Sequence, residues 1–197
     1  VYLARGGEET YCPRFTYHGF RYAEISGLPD PLAAEDVCVL VLRSDVASRG
    51  SFDSGEPLIN DIQRICRWTE SNNLHSVPTD CPQRDERMGW TGDIAVFAPT
   101  AAFNFDMNRF LDKWLLDVQA EQLPTGGLPN TVPVQGYGFP ATMPKMAVAW
   151  WGDACVLVPW AQYMARGDVG VLRRMYPTMK KYVNACRFWC GFGFGKY

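Results

Sequence analysis

The chain's 197 residues suit one domain or one and a half, and with 47% hydrophobic and 14% aromatic residues it can build a packed core. A formal charge of −2 offers no basic surface for nucleic acid and no polybasic stretch for lipid, and no apolar run approaches the ~20 residues of a membrane span. Seven cysteines without a CxxC pair, and only His18 and His75 beside them, give little basis for a zinc site or other cofactor; unpaired thiols lean toward a reducing compartment such as the cytoplasm.

Residues 11–43 read as β. Phe20, Tyr22 and Glu24 alternate with Arg21, Ala23 and Ile25, and Gly27-Leu28-Pro29-Asp30 breaks the strand. Val37 to Leu42 is a continuous apolar run, suited to a strand covered on both faces, and His18 reads as a structural histidine at a turn. Near Ser51 the period changes. Asp53 or Ser54 can cap a helix to about Asn72 that buries Leu58, Ile59, Ile62, Ile65, Cys66 and Trp68. The irregular stretch Leu74–Thr79, stopped by Pro78, leads into a charged loop.

Asp93 is the expected cap of the next helix, with Ile94, Phe97, Ala101, Ala102 and Phe105 inward and a kink at Pro99. Asp106 or Asn108 starts another, burying Phe110, Leu111, Trp114, Leu115 and Val118, while Asp112, Asp117 and Glu121 face solvent. Gln122 to Met146 is a Pro- and Gly-rich loop whose Tyr137 and Phe139 suit a wall over a site. Trp150-Trp151-Gly152-Asp153 leads into a helix with Val156, Leu157, Trp160 and Tyr163 inward, kinked at Pro159 and N-capped by Asp153. Asp168 caps Val169–Met175, and Pro177 opens a last helix burying Met179, Tyr182, Val183 and Cys186. A β segment followed by five to six helices is the fold class this pattern supports.

The loop between the first two helices carries the chemistry. Asp80 to Asp93, DCPQRDERMGWTGD, holds four carboxylates, two guanidinium groups, an indole and two glycines. A sugar site needs this mixture: carboxylates for proton transfer and hydroxyl contacts, and a flat apolar ring for a pyranose face. Arg84 and Arg87 can keep neighbouring acids ionised, while crowded carboxylates push at least one pKa upward. The plainer alternative is a surface salt-bridge cluster capping a helix.

This run resembles the signature of the α-L-rhamnosidases of glycoside hydrolase family 78. RFTYHGFRYAEISG upstream and WWGDACVLVPWAQY downstream are similar to segments that flank it there in the same order, so the resemblance runs from about Tyr11 to Tyr182. It implies residues 1–50 as the C-terminal part of a β-sandwich domain and 51–197 as the N-terminal half of an (α/α)6-barrel catalytic domain. The resemblance further implies inverting hydrolysis of terminal α-L-rhamnose, with Glu86 as general acid. Asp80, Arg84 and Asp93 would hold the sugar hydroxyls, and Trp90 and, more loosely, Trp151 would supply apolar contact. For Trp151 a core position is an equal alternative; Asp153 is the one loop-proximal candidate for a general base within the chain, and a helix cap is its simpler reading.

In that family the general base is a Glu on the far side of the barrel, beyond residue 197. The chain begins at Val1 without an initiator Met or signal-peptide pattern and stops in Gly191–Tyr197, which reads as a turn; a fragment is expected, with the remainder of its own chain as partner. Half a toroid should leave an extended apolar surface around the charged motif and little self-sufficient stability. Two other readings stay open: a module that holds sugar without cutting it, and another helical-toroid enzyme such as a glucoamylase-like hydrolase or a polysaccharide lyase. A lyase would want a Tyr or His base, and the central motif has neither.

Overall fold

The computed structural model describes residues 1–135 and 148–191. Tyr137 and Phe139, and the 192–197 end, lie outside the described residues. Among the described residues five α-helices follow one another: α1 Pro57–Asn72, α2 Thr91–Asn104, α3 Asn108–Ala120, α4 Ala154–Arg166 and α5 Val169–Trp189. The chain is mainly helical and consistent with part of a helical barrel. Helix α4 is central, packed against α2, α5 and α3.

Small side chains set how closely α2 and α4 approach. Ala95, Ala98, Ala101 and Ala102 on one side and Ala154, Cys155, Val158 and Ala161 on the other are all buried. The inward face of α4 is therefore rotated from the expected one, and Leu157 and Trp160 point to solvent. On α2 the same rotation exposes Phe97, while Ile94, Ala101, Ala102 and Phe105 are buried as the spacing predicts. Helix α3 buries all five residues its pattern picks out, with Leu111 and Trp114 fully enclosed. Asp112 is not a solvated surface acid; it pairs with Arg166 at 3.2 Å and Arg174 at 3.0 Å and accepts from Gln162 Nε2, tying α3 to α4 and α5.

Helix ends follow local chemistry, with two departures from the spacing. Asp168 caps α5 by accepting from Gly170 N at 2.7 Å, and Gly167, at φ 72°, closes α4 in the left-handed region. The cap of α1 is Glu56, whose Oε1 accepts from Leu58 N, because Pro57 starts the helix at its first position; Asp53 and Ser54 hold the side chain of Asn60 instead. Pro177 does not open a separate helix. It sits inside a continuous α5, where Met175, Thr178 and Tyr182 share a buried face and Val183 does not. Pro177 leaves the Arg173 carbonyl without its helical donor, and Gln119 and Gln122 donate to the nearby carbonyls of Arg174 and Thr178, fastening this stretch of α5 to the end of α3 and the segment after it.

The β reading of 11–43 is not met. Among the described residues no strand forms there; the region holds one 3₁₀ turn, Ala34–Asp36, and Val37–Leu42 lies exposed. A strand exists only as part of a ladder, and among the described residues there is no neighbouring strand for these to pair with.

Helix α1 shows the same shortage of partners. Leu58, Ile59, Ile62, Ile65, Cys66 and Trp68, predicted to be its core face, are all exposed. Apolar surface is exposed along this face of α1, and Phe103 and Trp160 are exposed as well, whereas the expectation for part of a toroid puts such surface around the charged motif. What holds α1 is polar. Asn104, at the end of α2, donates to Glu70 Oε2 and accepts from Gln63 Nε2, both at 2.9 Å, and its carbonyl accepts from Arg67 at 2.9 Å. Glu70 is 2% exposed, and burial pushes its carboxyl up to about 7, with the Asn104 bond and the Arg67 charge opposing.

Candidate active site

The motif spans a closed loop and the first turn of α2. Asp80 ties its two ends: its N–H donates to Met88 O at 3.1 Å, and its Oδ1 accepts from Met88 N at 2.9 Å. Between them a tight turn, closed by Arg87 N donating to Arg84 O at 3.3 Å, lifts Asp85 and Glu86 to its corner. Arg84 then gathers the acids. Its Nη2 lies 3.0 Å from Glu86 and 4.0 Å from Asp80, and its Nε donates to Cys81 Sγ at 3.3 Å. Cys81 is buried, and burial, followed by the Asp80 contact, raises its thiol above the usual range.

Asp93 belongs to the same cluster. It sits in the first turn of α2, where an acid complements the helix dipole, and Trp90 takes the cap position assigned to Asp93 from sequence. Loss of water on its inner side raises the Asp93 carboxyl most; its own backbone amide opposes this, and the charges of Asp80 and Glu86 add to the rise. Arg87, expected to act on the acids, turns outward and donates to Tyr17 O at 2.6 Å.

The motif's C-terminal half is anchored to the core. Thr91 N donates to Asn130 O and Val132 N to Gly89 O, and Trp90 pairs with Thr131 as an isolated bridge. The buried indole of Trp114 donates to Val132 O at 3.1 Å. A Cβ at Gly89 would overlap that same carbonyl, so only glycine lets the two segments meet.

Both downstream tryptophans arrive over Gly92. A Cβ there would stand 2.9 Å from Trp150 Cδ1 and 3.2 Å from Trp151 Cδ1. Trp151 thus reaches the site, partly buried, and its buried indole N–H has no hydrogen-bond partner among the described residues. Trp150 has no role in the sequence reading, yet it is the more exposed of the two at 58%. Its φ of 74° is a strained conformation for a bulky residue. Asp153 holds it there: Oδ2 accepts from Trp150 N at 2.8 Å and Oδ1 from Tyr182 O–H at 2.9 Å. So Asp153 does not cap α4 through its side chain, as the simpler reading had it. The paired WW beside a small-residue turn was the available signal for Trp150.

Asp80, Arg84, Glu86 and Asp93 are therefore one electrostatic cluster, with Trp150 and Trp151 beside it on Gly92. Among the described residues no group of His, Cys, Asp and Glu is arranged to hold a metal ion.

Comparison with known proteins gives a consistent family. The family model described as the bacterial alpha-L-rhamnosidase 6 hairpin glycosidase domain matches residues 47–187, and that of the bacterial alpha-L-rhamnosidase concanavalin-like domain matches residues 1–43. An alpha-L-rhamnosidase of Streptomyces avermitilis is 43% identical over 185 residues, covering 93% of this chain and 17% of that protein. One from Formosa agariphila is 40% identical over 182 residues, covering 91% and 19%. The solved alpha-L-rhamnosidase of Dictyoglumus thermophilum superposes with a TM-score of 0.84 at 41% identity over 92% of this chain and 20% of that one. The Streptomyces avermitilis enzyme complexed with L-rhamnose gives 0.83 at 42% identity, over 92% and 17%. The chain spans under a fifth of the length of these two curated relatives, and with its fold and its matched regions in agreement it belongs to the bacterial alpha-L-rhamnosidase family.

Proposed function

We propose that the complete protein hydrolyses terminal α-L-rhamnose from rhamnosides with inversion, and that Glu86 is the general acid. The observation that carries this reading is the cluster itself: three carboxylates and one guanidinium at the start of a helix, flanked by indoles. Proton donation to the glycosidic oxygen needs a carboxyl at an exposed corner, and Glu86 occupies the corner of the 84–87 turn. Its partner Arg84 is largely exposed and can exchange Glu86 for vicinal hydroxyls of a bound sugar, freeing the carboxyl to turn to the leaving oxygen. Asp80, with one oxygen fixed in the loop, offers the other to a hydroxyl, and Asp93 offers a second acceptor. Trp90, Trp150 and Trp151 supply apolar surface for the ring and the C6 methyl of a 6-deoxy sugar.

Inversion also needs a base that activates water, with the two carboxyl groups ~6.5–9.5 Å apart. We assign that base to the part of the polypeptide beyond residue 197, and the remaining wall of the site with it. The first 50 residues belong, on this reading, to the preceding sandwich domain.

The test uses the complete enzyme. Glu86→Gln should slow cleavage of a rhamnoside with a poor leaving group roughly 10²–10⁴-fold, and that of an activated aryl rhamnoside much less. The anomer first released, followed by NMR, should be the inverted one. Equal losses on the two substrates would remove Glu86 from the acid's role, and a retained anomer would overturn inversion. Binding of L-rhamnose without turnover in the unmodified protein would replace the enzyme by a binding module.

A further inference from the structure

Beyond the contacts of Arg84 with Glu86 and Cys81, the turn that carries Glu86 has little support of its own. Its ends are tied at Asp80 and Met88, and one backbone bond closes it at Arg84 and Arg87. No helix or ladder runs through residues 81–87. What leans on its outer side is a distant piece of chain, residues 17–19, which lies in the region matched by the other family model.

Three contacts make that support. Arg87, the residue after Glu86, donates from Nη1 to Tyr17 O at 2.6 Å. Its guanidinium also lies over the Tyr17 ring, 4.8 Å from the centroid. The ring is also held by His75: the two rings stack at 4.0 Å with 22° between planes. His75 Nε2 is in turn bonded to Asn72 O at the end of α1, 3.0 Å away. Two residues on, Gly19 meets the loop directly, since a Cβ there would stand 3.0 Å from both Cα and Cβ of Gln83. Tyr17 is half-buried, although most of residues 1–43 is exposed.

We infer that Tyr17, with Gly19 behind it, is a positioning residue that fixes the 84–87 turn through Arg87 and so sets where the Glu86 carboxyl points. This rests on the reading of Glu86 as the acid, but the mechanical part can be tested without it. A loop held at one side by a ring and a carbonyl should loosen when the ring is removed. Proton transfer demands placement of the carboxyl to within a fraction of an ångström, so the cost should appear in kcat on substrates that need protonation. Binding is made mostly by Asp80, Asp93 and the indoles outside the turn, with Arg84 at its start as the one binding group inside it, so it should change less than kcat.

The experiment uses the complete enzyme with Tyr17→Ala, Tyr17→Phe and Arg87→Lys. Amide hydrogen exchange comes first. In Tyr17→Ala the amides of 83–87 should exchange faster while those of α2 and α3 keep their rates; Tyr17→Phe, which keeps ring and carbonyl and loses only the hydroxyl's bond to Thr79, should stay closer to the parent than Tyr17→Ala. Kinetics follow. For a rhamnoside with a poor leaving group, kcat should fall on the order of 10-fold in Tyr17→Ala and in Arg87→Lys, with KM within about twofold, and an activated aryl rhamnoside should be nearly unaffected. Unchanged exchange at 83–87 in Tyr17→Ala overturns the inference, as does an equal kcat loss on both substrates. If Tyr17→Ala does not fold, Arg87→Lys carries the same two measurements. If the parent enzyme cleaves neither rhamnoside, the proposed function fails, and the exchange result still decides whether residues 17–19 hold the turn.

Discussion

The buried carboxyl of Glu70 should make the stability of the α1–α2 junction depend on pH, and the size can be worked out. Its ordinary value is 4.5 and its folded value about 7. The difference is about 2.5 units, which at 1.36 kcal/mol each is roughly 3 kcal/mol. The sign follows from proton binding. Between the two values the folded state holds a proton that the unfolded state has released, so stability falls as pH rises from about 4.5 and levels off above about 7. Glu70→Gln keeps an acceptor for Asn104 Nδ2 and removes the ionisation. In the complete protein, urea midpoints for parent and variant should be close at pH 5 and diverge toward pH 8, with the variant the more stable by up to about 3 kcal/mol. Arg67 is the charge that faces Glu70, and a stronger ion pair between them would shrink the gap. A gap that stays constant from pH 5 to 8, or widens toward acid, would refute the reasoning.

Gly89→Ala should destabilise by about 1–3 kcal/mol or more, because its Cβ meets a backbone carbonyl that cannot swing aside and that also takes the Trp114 bond; thermal unfolding of the complete protein checks this. Gly92→Ala should behave differently. The obstacle is the edge of two indoles, and alanine is the better helix former, so unfolding should change little while the Kd for L-rhamnose rises roughly fivefold as Trp150 and Trp151 are displaced. An unchanged Kd measured by calorimetry would detach the indoles from the sugar.

Much of this could be read from residue order because it is local. Periodicity located α3 and its five core residues, and the density of charge from Asp80 to Asp93 located a cluster the fold does assemble. The rotated faces of α2 and α4 were not legible, since alanines signal little hydrophobicity yet are the residues that let two helices meet. The exposed face of α1 is a different failure: its apolar period is real, and a partner surface is what the described residues lack. Asp153 shows a third. A cap and a strut for a strained tryptophan use the same residue type at nearly the same place, and only the position of Tyr182 separates them. Pro177 likewise reads as a helix start until Gln119 and Gln122 are seen beside it.

The buried thiol of Cys81 makes the Glu86 turn accessible to chemical timing. Cys12, Cys38, Cys66 and Cys190 are exposed, whereas Cys81 lies under Arg84 with its thiolate disfavoured. A maleimide should therefore consume the exposed group within the first phase of labelling and reach Cys81 only when Arg84 and the turn swing away. Followed by mass at Cys81 itself, apart from buried Cys155 and half-buried Cys186, the slow phase then clocks how often the site opens, and a sugar that draws the loop shut would lengthen it. Silver or mercury ions, which seek out sulfur, should inactivate at that same slow rate and be held off by rhamnose.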